Sequence, residues 1–302
     1  MPVLDIHLFG RLAINARGHP LSLKANLKAK ELFAFLLLNP DRPHSRDALV
    51  TMLWDDEFAN QGRKHLRQVL WILQRMLREA FGQDQELSLA DFLVVEPDSV
   101  TLHQCADVRV DTHVLEAAYL GARGIAGYEL HGESLHALDA AVGFDNDLLS
   151  DLYAEWLAAP REYFRTIALA ALEKLMIAHE TQGDLDAAII CAARVFRFEP
   201  AHEPAHRTLM RIYYRTGNRA AALHQFDRMR TALGHGFDVE PDRESLALLR
   251  SIRAGDSIAD ASPQIERDIV HRLDHLRAAL TAIHVQLESD LVALDSARMH
   301  VG

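Results

Sequence analysis

The sequence predicts a mainly α protein with a small mixed α+β segment at its N-terminus, and three observations predict it. Short strand patterns, three helical patterns and a hairpin follow one another within residues 1–109. The signature Gly183-Asp184-Leu185-Asp186-Ala187-Ala188 recurs 34 residues later as Gly217-Asn218-Arg219-Ala220-Ala221-Ala222. Near the C-terminus, Ile269, Leu273, Leu276, Leu280, Ile283 and Leu287 step by 4, 3, 4, 3 and 4. These patterns divide the chain into expected domains at 1–109 and 110–253, a small polar linker at 254–263 (AGDSIADASP) and a helical tail at 264–302.

Residues 3–9 (VLDIHLF) and 11–16 (RLAINA) read as strands, with Gly10 and then Arg17-Gly18-His19-Pro20 as breaks. Residues 21–23 add a third. Residues 29–38 (AKELFAFLLL) are strongly apolar and end at Asn39-Pro40, which reads as a buried helix. Ser45 caps the next helix and Asp47 in its first turn suits the helix dipole. That helix runs through Leu49, Met52 and Leu53 to Trp54, where Asp55-Asp56-Glu57 interrupts it. A basic helix follows at 60–82 (NQGRKHLRQVLWILQRMLREAFG). Residues 92–95 and 100–102 then alternate around Glu96-Pro97-Asp98-Ser99, a hairpin with proline at a turn position. Strands, three helices and a hairpin in this order form a winged helix-turn-helix, whose second helix of the turn enters the major groove.

The basic helix has two faces. At about 100° per residue, Leu66, Val69, Leu70, Leu73, Met76 and Leu77 gather on one side. Lys64, Arg67, Gln68, Trp71, Arg75 and Arg78 gather on the other, with Arg63 on the flank and Gln74 completing the candidate set. Arginine can bond guanine bidentately and glutamine can do so to adenine. Arg63 suits a phosphate. Trp71 suits either a thymine methyl or sugar, or packing against the preceding helix, and the balance favours packing. Ser45, Arg46 and Lys28 are weaker candidates. The bland alternative is a solvated amphipathic helix. The whole chain is acidic at net -11, but residues 1–110 carry 13 Lys/Arg against 14 Asp/Glu, while the rest carries 19 against 29. Local charge decides whether a surface meets phosphate, so the acidity does not exclude DNA.

From residue 110 the pattern becomes helical, with helices expected at 111–123, 134–142, 148–158, 160–182, 185–198, 204–216, 219–233 and 242–252. The 34-residue offset is the tetratricopeptide period, with Gly-polar at the inter-helix turn and small residues in the packed second helix. The tail seam from Ile269 to Leu287 suits either a coiled-coil dimer or a helix folded back on the repeats.

Enzymatic and metal chemistry find little support. His202-Glu203-Pro204-Ala205-His206 matches H-E-x-x-H, but Pro204 breaks the continuous helix that a zinc protease requires. His271 and His275, four apart, read as surface or interface histidines. Cys105 and Cys191 form no framework, which fits a reduced, cytoplasmic compartment. No phosphate-cradling glycine loop, nucleophile elbow, secretory signal or membrane-spanning apolar run is seen, and no cofactor or metal is expected.

The strings LFGRLAINARG, LKAKELFAFLLLNPDRPHSRDALVTMLW, GRKHLRQVLWILQRML and VRVDTHVLEAA, then Glu155-Trp156 and FDVEPDRESLALL, occur in that order. Together they resemble the Streptomyces antibiotic regulatory protein type of transcription factor over about residues 1–253. The resemblance implies a response-regulator-type winged helix and a bacterial transcriptional activator domain. It implies a DNA-binding activator that works as a homodimer on direct repeats of a promoter and helps RNA polymerase engage, with Asp55, Asp56 and Glu57 in the loop that touches polymerase. A small-molecule effector is a further partner for the repeats; no membrane partner is expected. The chain departs from the family at Trp71-Ile72, where a polar residue and an arginine are usual. Glu96 and Asp98 at the hairpin tip would repel phosphate, leaving any wing affinity to Arg109 or a neighbour. The alternative reading is a protein-interaction adaptor on a helical repeat scaffold, without DNA binding.

Overall fold

The computed structural model describes residues 4–21, 26–54, 59–81, 89–144, 146–237 and 239–256. The expected acidic loop at Asp55–Glu57 and the whole heptad tail lie outside these residues. The fold is mainly helical, with its strands confined to the N-terminal part. The chain divides into two compact units, residues 1–121 with 136–171, and residues 122–135 with 172–302.

In the first unit, β1 (Leu4–His7), β2 (Ala13–Ala16), β3 (His19–Leu21) and β7 (Val108–Val110) form a sheet in the order β3-β2-β1-β7. Arg17 and Gly18 both have positive φ, as a two-residue hairpin connection favours. Ile6 pairs with Ile14, and Leu4, Ile6, Leu8 and Ile14 are buried. β7 runs parallel to β1 and is not foreseen, because its three residues merge with the helical pattern that follows. α1 (Leu27–Leu38) is capped by Asn26, whose Oδ1 accepts from Ala29 N at 3.0 Å. α2 (Arg46–Leu53) is capped as expected by Ser45. α3 (Ala59–Phe81) is the basic helix, and α4 (Leu89–Phe92) leads into the hairpin of β5 (Leu93–Val95) and β6 (Ser99–Leu102). The short strand β4 (His44–Ser45) joins the hairpin at β6. Leu32, Phe33, Leu36, Leu49, Leu66, Leu73, Leu77, Phe92 and Val100 are fully buried or nearly so.

α5 (Asp111–Gly121) starts directly after β7, and the Asp111 carboxylate accepts from the backbone N–H groups of Leu8, Phe9 and Thr112 at 2.8–3.0 Å. α6 (Gly132–Ala141) and α7 (Ala158–Gln182) follow. The helix expected at 148–158 is not formed. Leu149 N donates instead to Leu8 O at 2.7 Å, and Ser150 N to Gly10 O at 2.6 Å. Arg161 on α7 donates to the carbonyls of Leu148, Leu149 and Leu152 at 2.9, 2.6 and 2.7 Å. Those carbonyls are satisfied by tertiary partners, which removes the gain from a local helix; only a 3-10 turn at Glu155–Leu157 remains.

In the second unit, α7 meets α8 (Leu185–Phe198), and α9 (Glu203–Arg215) meets α10 (Arg219–Phe237), at the two repeated signatures. The turns are built alike. Gly183 and Gly217 have φ of 82° and 81°. Their N–H groups donate to Glu180 O and Tyr214 O, and those of Asp184 and Asn218 donate to His179 O and Tyr213 O. Asp184 and Asn218 then cap the next helix, each accepting at 3.1 Å from an alanine N–H three residues on. Met210, Ala222, Phe226, Met229, Leu233, Leu249 and Ile252 form a core between α9, α10 and α11 (Arg243–Ala254). Arg207, buried on α9, donates to Asp242 Oδ2 at 2.5 Å and to Ser245 Oγ at 3.1 Å. Asp242 also caps α11 through Ser245 N at 2.6 Å.

Two outcomes are expected. Gly62 lies on α3 against α2, where an added Cβ would sit 2.2 Å from Val50 Cγ1. Gly62→Ala should therefore destabilise, because overpacking costs about 1–3 kcal/mol against a gain of about 1 kcal/mol in helix propensity. Val50→Ala in the same chain should recover most of the loss, measured by denaturant midpoints. Asp242 has a lowered pKa: burial works against the charge, and the Ser245 N–H and Arg207 outweigh it. A depressed carboxyl pKa contributes stability above its unfolded value near 3.8, which is lost as pH falls through the folded value. Asp242→Asn keeps the cap and should cost about 1 kcal/mol at pH 7. Thermal melts of the two proteins should converge as the pH is lowered below 3.8.

Candidate nucleic-acid interface

α3 presents the two faces expected of it. Leu66, Val69, Leu70, Leu73, Met76 and Leu77 are all buried, while Lys64, Arg67, Gln68, Trp71, Arg75 and Arg78 are exposed and Gln74 is half-buried. Close packing and ring contact hold the helix at this setting against α2. The close packing is the approach at Gly62. The ring contact is that of Trp54, at the end of α2, whose ring lies 5.9 Å from that of His65.

Arg63 stands apart from the other cations. Its Nε and Nη2 donate to the two carboxylate oxygens of Asp47 at 2.7 and 2.6 Å. The hydrogen bonds and the opposite charge hold the Asp47 carboxyl below its usual range and raise the Arg63 guanidinium. The pair is exposed and bridges α2 to α3. Its 16-residue separation leaves no periodic trace in the sequence, so sequence reading misses Asp47 as a partner. By contrast, Lys64, Arg67, Arg75 and Arg78 have no carboxylate partner among the described residues. A concentrated positive strip thus faces solvent in a chain of net charge -11.

Trp71 is 53% exposed, on the face of α3 turned away from the buried Leu70 and Leu73. The guanidinium of Arg75 lies over its ring, 4.9 Å from the centroid.

The hairpin adds no exposed cation at its tip. Ser99 Oγ donates to Glu96 at 2.7 Å, and Arg46 N donates to Asp98 O at 2.9 Å, tying the tip to the start of α2. Arg109 belongs to the other sheet, on β7, and pairs with Asp5 at 3.0 Å, so it is not part of the wing. Of the weaker candidates, Lys28 pairs with Glu31 at 2.8 Å and Ser45 Oγ caps α2.

The H-E-x-x-H match does not make a ligand pair. His202 precedes α9 as its cap, and its Nε2 lies 2.6 Å from Glu173 Oε1. His206 accepts at Nδ1 from Gln225 and donates from Nε2 to Pro200 O at 2.9 Å. Burial pushes the His206 pKa down, in keeping with this neutral arrangement. Among the described residues no group of three His, Cys, Asp or Glu side chains could hold a metal ion. Cys191 is buried in α8. Cys105 lies half-buried in an open groove of about 620 Å³ lined by Phe92, Leu102 and His113, where burial and the nearby Asp91, Asp107 and Asp41 push the thiol up. No described helix is long and apolar enough to cross a membrane.

The family model of the bacterial transcriptional activator domain matches residues 110–253. The transcriptional regulatory protein EmbR of Mycobacterium tuberculosis is 24% identical over 245 residues, which cover 79% of this chain and 60% of EmbR. The chain thus spans about 60% of the length of that relative. The transcriptional regulatory protein MoaR1 of the same organism is 25% identical over 253 residues, covering 82% of this chain and 79% of MoaR1. A solved structure of M. tuberculosis EmbR in complex with a low affinity phosphopeptide shares the fold, with a TM-score of 0.62 at 21% identity over 95% of this chain and 72% of that one. Residues 110–253 thus match a bacterial transcriptional activator domain, and with the winged helix before it the chain resembles the Streptomyces antibiotic regulatory protein type of transcriptional regulator.

Proposed function

We propose that this regulator binds double-stranded promoter DNA through the exposed face of α3 and activates transcription by recruiting RNA polymerase. The observation that carries the reading is the strip of Lys64, Arg67, Arg75 and Arg78, exposed and without a carboxylate partner among the described residues. An unneutralised cationic strip on a helix rigidly set against its neighbour is what counterion release from DNA requires. Gln68 and Gln74 add side chains able to bond base edges, and Arg63, held by Asp47, reaches phosphate from the flank. Recruitment falls to the loop bearing Asp55, Asp56 and Glu57. The helical repeats serve dimerisation, polymerase contact or effector sensing, and the tail from Ile269 to Leu287 serves the homodimer that direct repeats call for. The protein acts in the cytoplasm and needs no cofactor.

The test is binding to its promoter fragment over a range of salt. Lys64→Ala alone should weaken binding to all sequences and lower the slope of log K against log salt by about 1. Lys64→Ala, Arg67→Ala and Arg75→Ala together should abolish binding while the circular dichroism spectrum is retained. Full affinity in the triple variant would remove α3 from the interface. A wild-type chain without salt-dependent affinity would favour the adaptor reading instead.

A further inference from the structure

We infer that Trp71 and Arg75 form one preassembled base-reading element, which takes a guanine and a thymine on adjacent base pairs. The inference rests on the proposal that α3 meets DNA. Three observations carry it. First, Trp71 keeps a large apolar ring 53% exposed on a helix whose other large apolar residues are buried or half-buried. Second, the Arg75 guanidinium already rests over that ring at 4.9 Å, one helical turn on. Third, Trp71 stands at the midpoint of the exposed row from Lys64 to Arg78, with Arg67 and Arg75 one turn to either side.

The position matters because the row from residue 64 to 78 is about 21 Å long at 1.5 Å per residue. The major groove is about 12 Å wide. A helix set across the groove therefore meets the backbones with its ends and the bases with its centre. Lys64 and Arg78 then fall to phosphate, and the segment from Arg67 to Arg75, with Trp71 at its middle, falls to base edges. Stacking on the ring restricts the Arg75 side chain before any DNA arrives, so less rotamer freedom is lost on binding. The planar guanidinium can then donate two bonds to guanine O6 and N7. The indole has only one donor and offers an apolar edge, which suits the thymine methyl. The 4.9 Å separation fits base pairs about 3.4 Å apart better than pairs two steps apart. The element lies at Trp71-Ile72, where the chain departs from the family it resembles, and it supplies a reading group there.

The experiment is selection of duplexes from a randomised pool by the full chain and by its Trp71→Ala, Trp71→Phe and Arg75→Lys variants, each checked for folding by circular dichroism. The wild type should enrich a motif containing adjacent guanine and thymine. Arg75→Lys keeps the charge but not the fork; it should lower preference for that guanine on the order of tenfold or more, with the salt slope unchanged. Trp71→Ala should remove the thymine preference and lower the guanine preference about two- to fivefold, with Trp71→Phe between it and the wild type. If Trp71→Ala and Arg75→Lys enrich the wild-type motif with unchanged preference, the reading element is overturned while DNA binding stands. If the wild type enriches no motif and binds no duplex, the DNA interface itself fails and this inference with it.

Discussion

The carboxylate of Asp111 is the constraint on which the first unit depends. It is buried, and it takes the N–H groups of Leu8, Phe9 and Thr112. Those bonds join the end of the central strand β1 to the first turn of α5. A buried charge is costly, and burial does push the Asp111 pKa up against the pull of the backbone donors and His7. The cost is tolerated because removal would leave three backbone donors unpaired in the same place. Around this point Phe9 stacks on Phe144 and meets Phe164 edge-on, and Leu148 bridges to Phe9. The end of β1 is thus fixed by residues from well beyond the winged helix.

From that frame the exposed face of α3 follows by subtraction. Eight apolar side chains of α3, from Leu66 to Phe81, are drawn into the core, which leaves the cationic row outward. One cation, Arg63, is committed to Asp47 and helps set the angle between α2 and α3. The remaining cations carry the local field. The acidity of the chain lies mostly after residue 110, and residues 1–110 are close to neutral.

How much of this is legible in the sequence depends on how local each determinant is. The faces of α3 are legible because helical period alone separates Leu66, Leu73 and Leu77 from Arg67, Trp71 and Arg75. The paired turns at Gly183 and Gly217 are legible because glycine, cap and small residues all lie within six positions. The region at 148–158 is not legible. Leu148, Leu149 and Leu152 have a helix-compatible spacing, but Arg161 and the edge near Gly10 claim their backbone groups, and nothing local announces either partner. Strand β7 fails for the same reason: among the described residues its mate is β1, about 100 positions away. At the candidate site the residue types were readable. The Asp47 bond to Arg63 and the outward setting of Trp71 were not, since both depend on how two helices cross.

The long reach of β1 has a consequence for the order of events during synthesis. Leu8 and Asp111 are 103 residues apart in the chain, and the bonds to Leu149 and Ser150 come later still. At about 5–20 residues per second, residue 149 follows residue 8 by roughly 7–28 s. The β1–β2 hairpin, with Ile6 opposite Ile14, can form within microseconds of emergence, but its other edge then stays open for seconds. During that interval β1 presents an unpaired backbone edge, with Leu4, Ile6 and Leu8 on one face, to whatever else is nascent. The β1–β2 pair is therefore made well before the residues that close its other edge.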